Sequence, residues 1–112
     1  MKKTLPPHWA TMYVRLKYLK FLPDKIDQAK KLYFDELAPV VRQQKGNIDC
    51  RMLEPVDGND DYISMTFWDN QEDADVYHSS GVYKQLVDRV RDALAGQPVL
   101  KVYSSQSVLE HA

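Results

Sequence analysis

"NIDCRMLEPVDGNDDYISMTFW", residues 47–68, carries two apolar stretches on either side of a polar centre, Asp57-Gly58-Asn59-Asp60. Asp-Gly accommodates the positive backbone angles of tight turns, so this centre predicts a hairpin between strands over residues 47–56 and 61–68. Asp57, Asp60 and Asp61 around Gly58 invite comparison with a calcium loop. They lack its ligand spacing and its terminal Glu, and turn chemistry accounts for them.

Each arm of the hairpin is flanked by a helical pattern. Upstream, Ile26, Ala29, Tyr33, Leu37 and Val40 recur at spacings of three and four, which places them on one stripe of a helix. Pro23-Asp24 breaks the strand pattern ahead of that helix, Pro39 should bend or loosen its last turn, and Gly46 can close it in the left-handed conformation. Downstream, Asp69 or Asn70 can cap a second helix, and Glu72 and Asp73 in its first turn suit the positive end of the helix dipole. That helix runs to His78, breaks at Ser79-Ser80-Gly81, and resumes with Leu86, Val87, Val90, Ala93 and Leu94 on one face up to Gly96-Gln97-Pro98. Alternating segments lie outside the helices. In residues 11–22, Met12, Val14, Leu16 and Tyr18 interleave with Tyr13, Arg15 and Lys17; residues 99–107 alternate likewise.

The order is strand, helix, strand, strand, helix, strand. With right-handed crossovers it predicts an α+β, ferredoxin-like β-α-β-β-α-β fold, a four-stranded antiparallel sheet with the helices on one face. Tyr13, Tyr62 and Trp68 fall on the faces alternate to Met12 and Ile63. Large apolar groups on both faces lead us to expect a homodimer that buries the second one.

At 112 residues and 44% hydrophobic, the chain suits one domain with one core. We expect that domain over residues 11–107, with an N-terminal extension over 1–10 and a C-terminal tail over 108–112. The 15 basic and 16 acidic side chains leave a net charge of -1 with no long block of either sign, so no nucleic acid and no membrane is expected as partner. Two lysines near the start have no apolar stretch behind them, and no run reaches membrane-spanning length. A cytoplasmic location is the expectation. The single cysteine, Cys50, allows no internal disulfide and no Cys-based metal cluster; its place in the alternation suggests a core or sheet-facing thiol.

Residues 34–86 contain a helix ending before a glycine and a strand (Lys45-Gly46-Asn47-Ile48), a hairpin, and a strand-final aromatic-Trp pair (Phe67-Trp68) followed by acids and a helix. A short break with small residues and an aromatic follows, Ser79-Ser80-Gly81-Val82-Tyr83. In this order the chain resembles the antibiotic-biosynthesis monooxygenase-like (ABM) domains of the dimeric α+β barrel superfamily, over residues 11–107. The resemblance implies a small pocket in each subunit between sheet and helices. It also implies one of two chemistries: cofactor-independent oxidation of a phenol or quinol by molecular oxygen, or haem binding and degradation. In the first, the substrate supplies the electrons while the protein positions it, removes a proton and excludes water.

Carried over position by position, the pocket Trp at the end of strand three matches Trp68. The substrate-contacting Asn four residues earlier is Ser64 here, the Tyr six residues later is Ala74, and the Arg twenty residues later is Asp88. For the haem branch, the axial His falls at Val87 and the pocket Trp at Tyr77, which disfavours haem degradation. The residues themselves point to His78 as the proton acceptor, the one histidine inside the folded body, since His8 and His111 lie in the terminal stretches. A helix-end His is also an ordinary capping residue. Trp68 is the second catalytic candidate and equally a packing residue; Tyr33, Ser64, Tyr77 and Tyr83 are candidate substrate contacts. Arg51 can bind an anion, with a cross-strand ion pair as its ordinary role. No metal and no cofactor is expected, and the expected partners are a second copy of the chain and a small aromatic molecule. Two readings of function stand side by side. One is a monooxygenase-like enzyme; the other is a non-catalytic, ligand-binding or stress-related domain of the same fold.

Overall fold

The computed structural model describes residues 11–58 and 60–106. Four strands, β1 (Met12–Leu19), β2 (Asn47–Leu53), β3 (Tyr62–Trp68) and β4 (Val99–Ser105), form one sheet in the order β2-β3-β1-β4 with every neighbouring pair antiparallel. This is the ferredoxin-like arrangement, and the helices lie on one face of the sheet. The terminal extension, the tail, His8, His111 and the end of the strand expected to reach residue 107 lie outside the described residues.

Local chemistry sets the helices. A 3-10 turn at Pro23–Lys25 leads into α1 (Ile26–Leu32), a π-helical turn over Tyr33–Leu37, and α2 (Ala38–Arg42). Pro39 has no N–H to donate to the carbonyl four residues back, and the preceding Ala38 N–H donates to Tyr33 O, five residues back. The loosening expected from Pro39 is therefore a widened turn on its N-terminal side. After α2 the chain reverses through Gly46, whose φ of 81° is left-handed, and whose absent Cβ leaves room for Asp73. Asn70 caps α3 (Gln71–His78), its side-chain oxygen accepting from Asp73 N at 2.8 Å. Ser80 caps α4 (Gly81–Val90) by accepting from Tyr83 N at 3.2 Å, so the Ser-Ser-Gly break is a helix end followed directly by a new helix start.

The strands stop where their partners stop. β2 ends at Leu53, opposite Ile63 and just before Pro55, short of residue 56. β1 ends at Leu19, after which Phe21 makes an isolated bridge to Leu94, and α4 passes into a 3-10 turn at Arg91–Ala93. Arg51 does not make the expected cross-strand pair: its Nε lies 2.6 Å from Asp49 Oδ2, two residues away on its own strand and the same face.

The register sorts side chains onto the two sheet faces. Tyr13 pairs with Trp68, Arg15 with Thr66 and Lys17 with Ser64, while Cys50 pairs with Thr66, so these side chains share the helix-covered face. The opposite face carries Val14, Leu16 and Tyr18 of β1, Ile63, Met65 and Phe67 of β3, and Val99 and Tyr103 of β4. Trp68, Cys50, Ala74, Tyr77, Tyr33 and Leu86 lie within the buried core cluster between sheet and helices.

Candidate active site

A cavity opens between the helices and their face of the sheet, with about 90 Å³ available to the centre of a water-sized sphere. One water needs roughly 10–15 Å³ by that measure, so the space suits a small organic molecule. The sheet contributes Arg15 and Lys17 from β1, Cys50 from β2, and Ser64 and Thr66 from β3; the helices contribute Tyr33, Tyr77, His78, Tyr83 and Leu86.

Tyr33, at the start of the π turn, reaches the sheet with its hydroxyl. Its Oη lies 3.0 Å from Cys50 Sγ and 3.1 Å from Ser64 Oγ, and donates to Arg51 O at 3.0 Å. One phenolic proton and two lone pairs match these three partners. Burial, reinforced by Cys50, pushes the Tyr33 hydroxyl far above its ordinary range; burial does the same to Tyr77, with Tyr83 and Cys50 adding to it. Both stay protonated at neutral pH.

His78 ends α3. Its Nδ1 lies 2.7 Å from Ala74 O, and because a carbonyl only accepts, Nδ1 carries the hydrogen and Nε2 is left as the basic atom. Three rings enclose it, with centroids at 4.7 Å (Tyr83), 5.0 Å (Tyr77) and 6.0 Å (Trp68). Burial lowers its pKa to about 4, the Ala74 hydrogen bond opposing this and the charges of Arg15 and Lys17 adding to it. The imidazole is neutral at pH 7.

Trp68 sits one layer behind. Fully buried, it donates from Nε1 to Thr66 Oγ1 at 2.9 Å and stacks on Tyr77 with ring centroids 5.5 Å apart. It backs the wall that Tyr77 presents and is not among the residues lining the space. Tyr33, Ser64, Tyr77, His78 and Tyr83 do line it.

Two residues outside the sequence candidates join them. Arg15 is only 12% exposed along its side chain; Nη1 lies 3.8 Å from Asp75 Oδ1, and Nε is buried without a hydrogen-bond partner. Lys17 donates from Nζ to Tyr83 Oη and lies 4.6 Å from the centroid of that ring. Among the described residues, the cavity wall holds these two cations and no carboxylate. The signal was present in the alternation, which puts Arg15 and Lys17 on the same face as Tyr13 and opposite Val14 and Leu16. It would have been read as a solvated edge.

The sequence pattern of the antibiotic biosynthesis monooxygenase family matches residues 12–89. The chain belongs to this ABM family. Its fold recurs in a candidate antibiotic biosynthesis monooxygenase of Nitrosomonas europaea, with 19% identity, a TM-score of 0.73, and coverage of 83% of this chain and 97% of that one. A conserved protein of Methanosarcina mazei is also similar, at 16% identity and a TM-score of 0.72 over 86% of this chain and 93% of the other. At such identities the likeness shows the fold of the ABM chain alone. A candidate heme-binding protein of Halobacterium salinarum is 34% identical over 65 residues, 58% of this chain; the match spans 13% of that relative's length. In this ABM chain, the described residues contain no group of three or more His, Cys, Asp or Glu arranged to hold a metal ion.

Proposed function

We propose that the protein binds a small phenol or quinol in this cavity and oxidises it with molecular oxygen, using no metal or organic cofactor. The observation that carries the reading is a mostly apolar space whose polar groups are a neutral imidazole, two cations, tyrosine hydroxyls and the small side chains of Cys50, Ser64 and Thr66. The electrons balance without an external reductant. A hydroquinone and one dioxygen give a hydroxyquinone and one water: one oxygen atom enters the ring, the other leaves as water, and the substrate supplies all four electrons.

The residues divide the work. An imidazole that titrates near 4 is roughly six pKa units less basic than a phenolate, so His78 alone is a poor acceptor. Lys17 and Arg15 offset this by stabilising the phenolate, and His78 Nε2 accepts the hydrogen bond or proton as the charge forms. Tyr77 and Tyr83 flank the imidazole and narrow the space open to water. The low basicity of His78 favours one second reading, a binding domain of the same fold with no turnover.

The haem named for the Halobacterium relative does not fit these residues. Cys50 and Tyr33 are in contact with each other at 3.0 Å, and His78 is ringed by three aromatics with Nδ1 tied to its own helix, so among the described residues none of these three is presented as an open axial ligand.

Oxygen uptake with a panel of hydroquinones in metal-chelated buffer tests the proposal. Turnover that falls about 100-fold in His78→Ala is the expected outcome. Thermal-shift binding across the panel with no oxygen consumption would replace oxidation by the binding reading.

A further inference from the structure

Arg15 and Lys17 have less counter-charge than their burial calls for. Asp75 approaches one terminal nitrogen of Arg15 at the long distance of 3.8 Å, is itself 54% exposed on its side chain, and leaves the buried Nε unpaired. The partner of Lys17 is the Tyr83 hydroxyl and its ring, a contact that brings no carboxylate. His78 and the buried tyrosines provide no negative charge either, since burial keeps each of them neutral at pH 7. Cations withdrawn from water are costly unless an anion meets them.

We propose that the cavity takes a small aromatic carboxylate whose carboxylate group is held by Arg15 and Lys17. The two residues alternate on one face of β1, which sets their Cα atoms about 6.8 Å apart, so both long side chains can reach one anionic group. The Nε edge of Arg15 offers the planar geometry that carboxylates bind, and Lys17 adds a point charge. The rest of the ligand is aromatic because the remaining wall is largely apolar and includes the rings of Phe21, Tyr33, Tyr77 and Tyr83. This inference rests on the cavity's being a binding site for a small aromatic molecule, and it names the class of molecule.

Calorimetric titration at pH 7.5 and low salt with gentisate, a hydroquinone carboxylate, and with its uncharged amide, gentisamide, is the test. Gentisate should bind wild type at least about ten-fold more tightly, and added salt should erode that preference. In Arg15→Gln and in Lys17→Gln, the preference for gentisate over gentisamide should shrink about ten-fold. The wild-type comparison does not depend on any variant folding. Equal affinity of wild type for the two ligands, no binding of either, or a preference untouched in both variants would overturn the proposal. Selective gentisate binding without oxygen uptake keeps this inference and removes the oxidation; oxidation of both compounds with equal affinity does the reverse.

Discussion

His78 carries an acid-sensitive part of the stability. Its pKa falls from 6.5 in the unfolded chain to about 4 in the folded one, so between those values the unfolded state binds the extra proton and stability drops as pH falls. Above 6.5 the contribution is complete, and below about 4 the slope is spent. Arg15 and Lys17 press in the same direction, and Asp75 opposes them. Urea midpoints for wild type should therefore decline from pH 6.5 to pH 4 more steeply than those of His78→Gln; parallel curves would show that the imidazole is not held neutral. Tyr33 makes a different prediction. Tyr33→Phe keeps the ring but strips the hydroxyl from Ser64, Cys50 and the Arg51 carbonyl, and should cost about 1–3 kcal/mol in chemical denaturation. Trp68→Ala, which empties a fully buried site and withdraws the support behind Tyr77, should cost about 3–5 kcal/mol.

Among the elements, the reversal between α2 and β2 depends on one missing side chain. A Cβ at Gly46 would stand 2.6 Å from Asp73 Cβ and closer still to its Oδ2, and the backbone there is left-handed. Gly46→Ala should lose about 1–3 kcal/mol, and in an Asp73→Gly background, which removes the Cβ it would meet, it should cost less by the steric share alone. Differential scanning calorimetry on the two variants separates clash from backbone strain. Turns and caps of this kind were legible from sequence because each depends on a few adjacent residues, as Gly46 and Asn70 show; Ser79-Ser80-Gly81 was legible as a break, and the structure adds the Ser80 cap. Strand ends were not. The expected strand continues past Leu53, but the pairing stops at Leu53 and Ile63, one residue short of the end of β3 at Tyr62, and only the register reveals that. The candidate site divides along the same line: Tyr33, Ser64, Tyr77, His78 and Tyr83 were chosen from sequence and line the cavity, Trp68 stands behind it, and Arg15 and Lys17 were passed over. The more apolar side of β1, with Val14 and Leu16, faces away from the helices, and the charged side is the one turned inward.

For the whole molecule, that inverted strand bears on assembly. We propose that the outer sheet face is covered by a second copy. Val99 and Tyr103 of β4 are 53% and 50% exposed on the same face as Val14, Leu16, Phe67 and Met65. Light scattering at micromolar concentration should give about twice the 13.0 kDa chain mass, and Tyr103→Lys should shift it toward the monomer; a monomer mass for wild type would remove the proposal. Cys50 supplies a way to watch the fold open. It is the chain's single thiol, 1% exposed, and burial raises its pKa further from the reactive thiolate. A disulfide reagent should therefore modify the native protein only as fast as sheet and helices part. Because Cys50 also lines the cavity, an occupied site should slow that chemistry, which makes one unlabelled atom at the domain's centre a clock for both breathing and ligand capture.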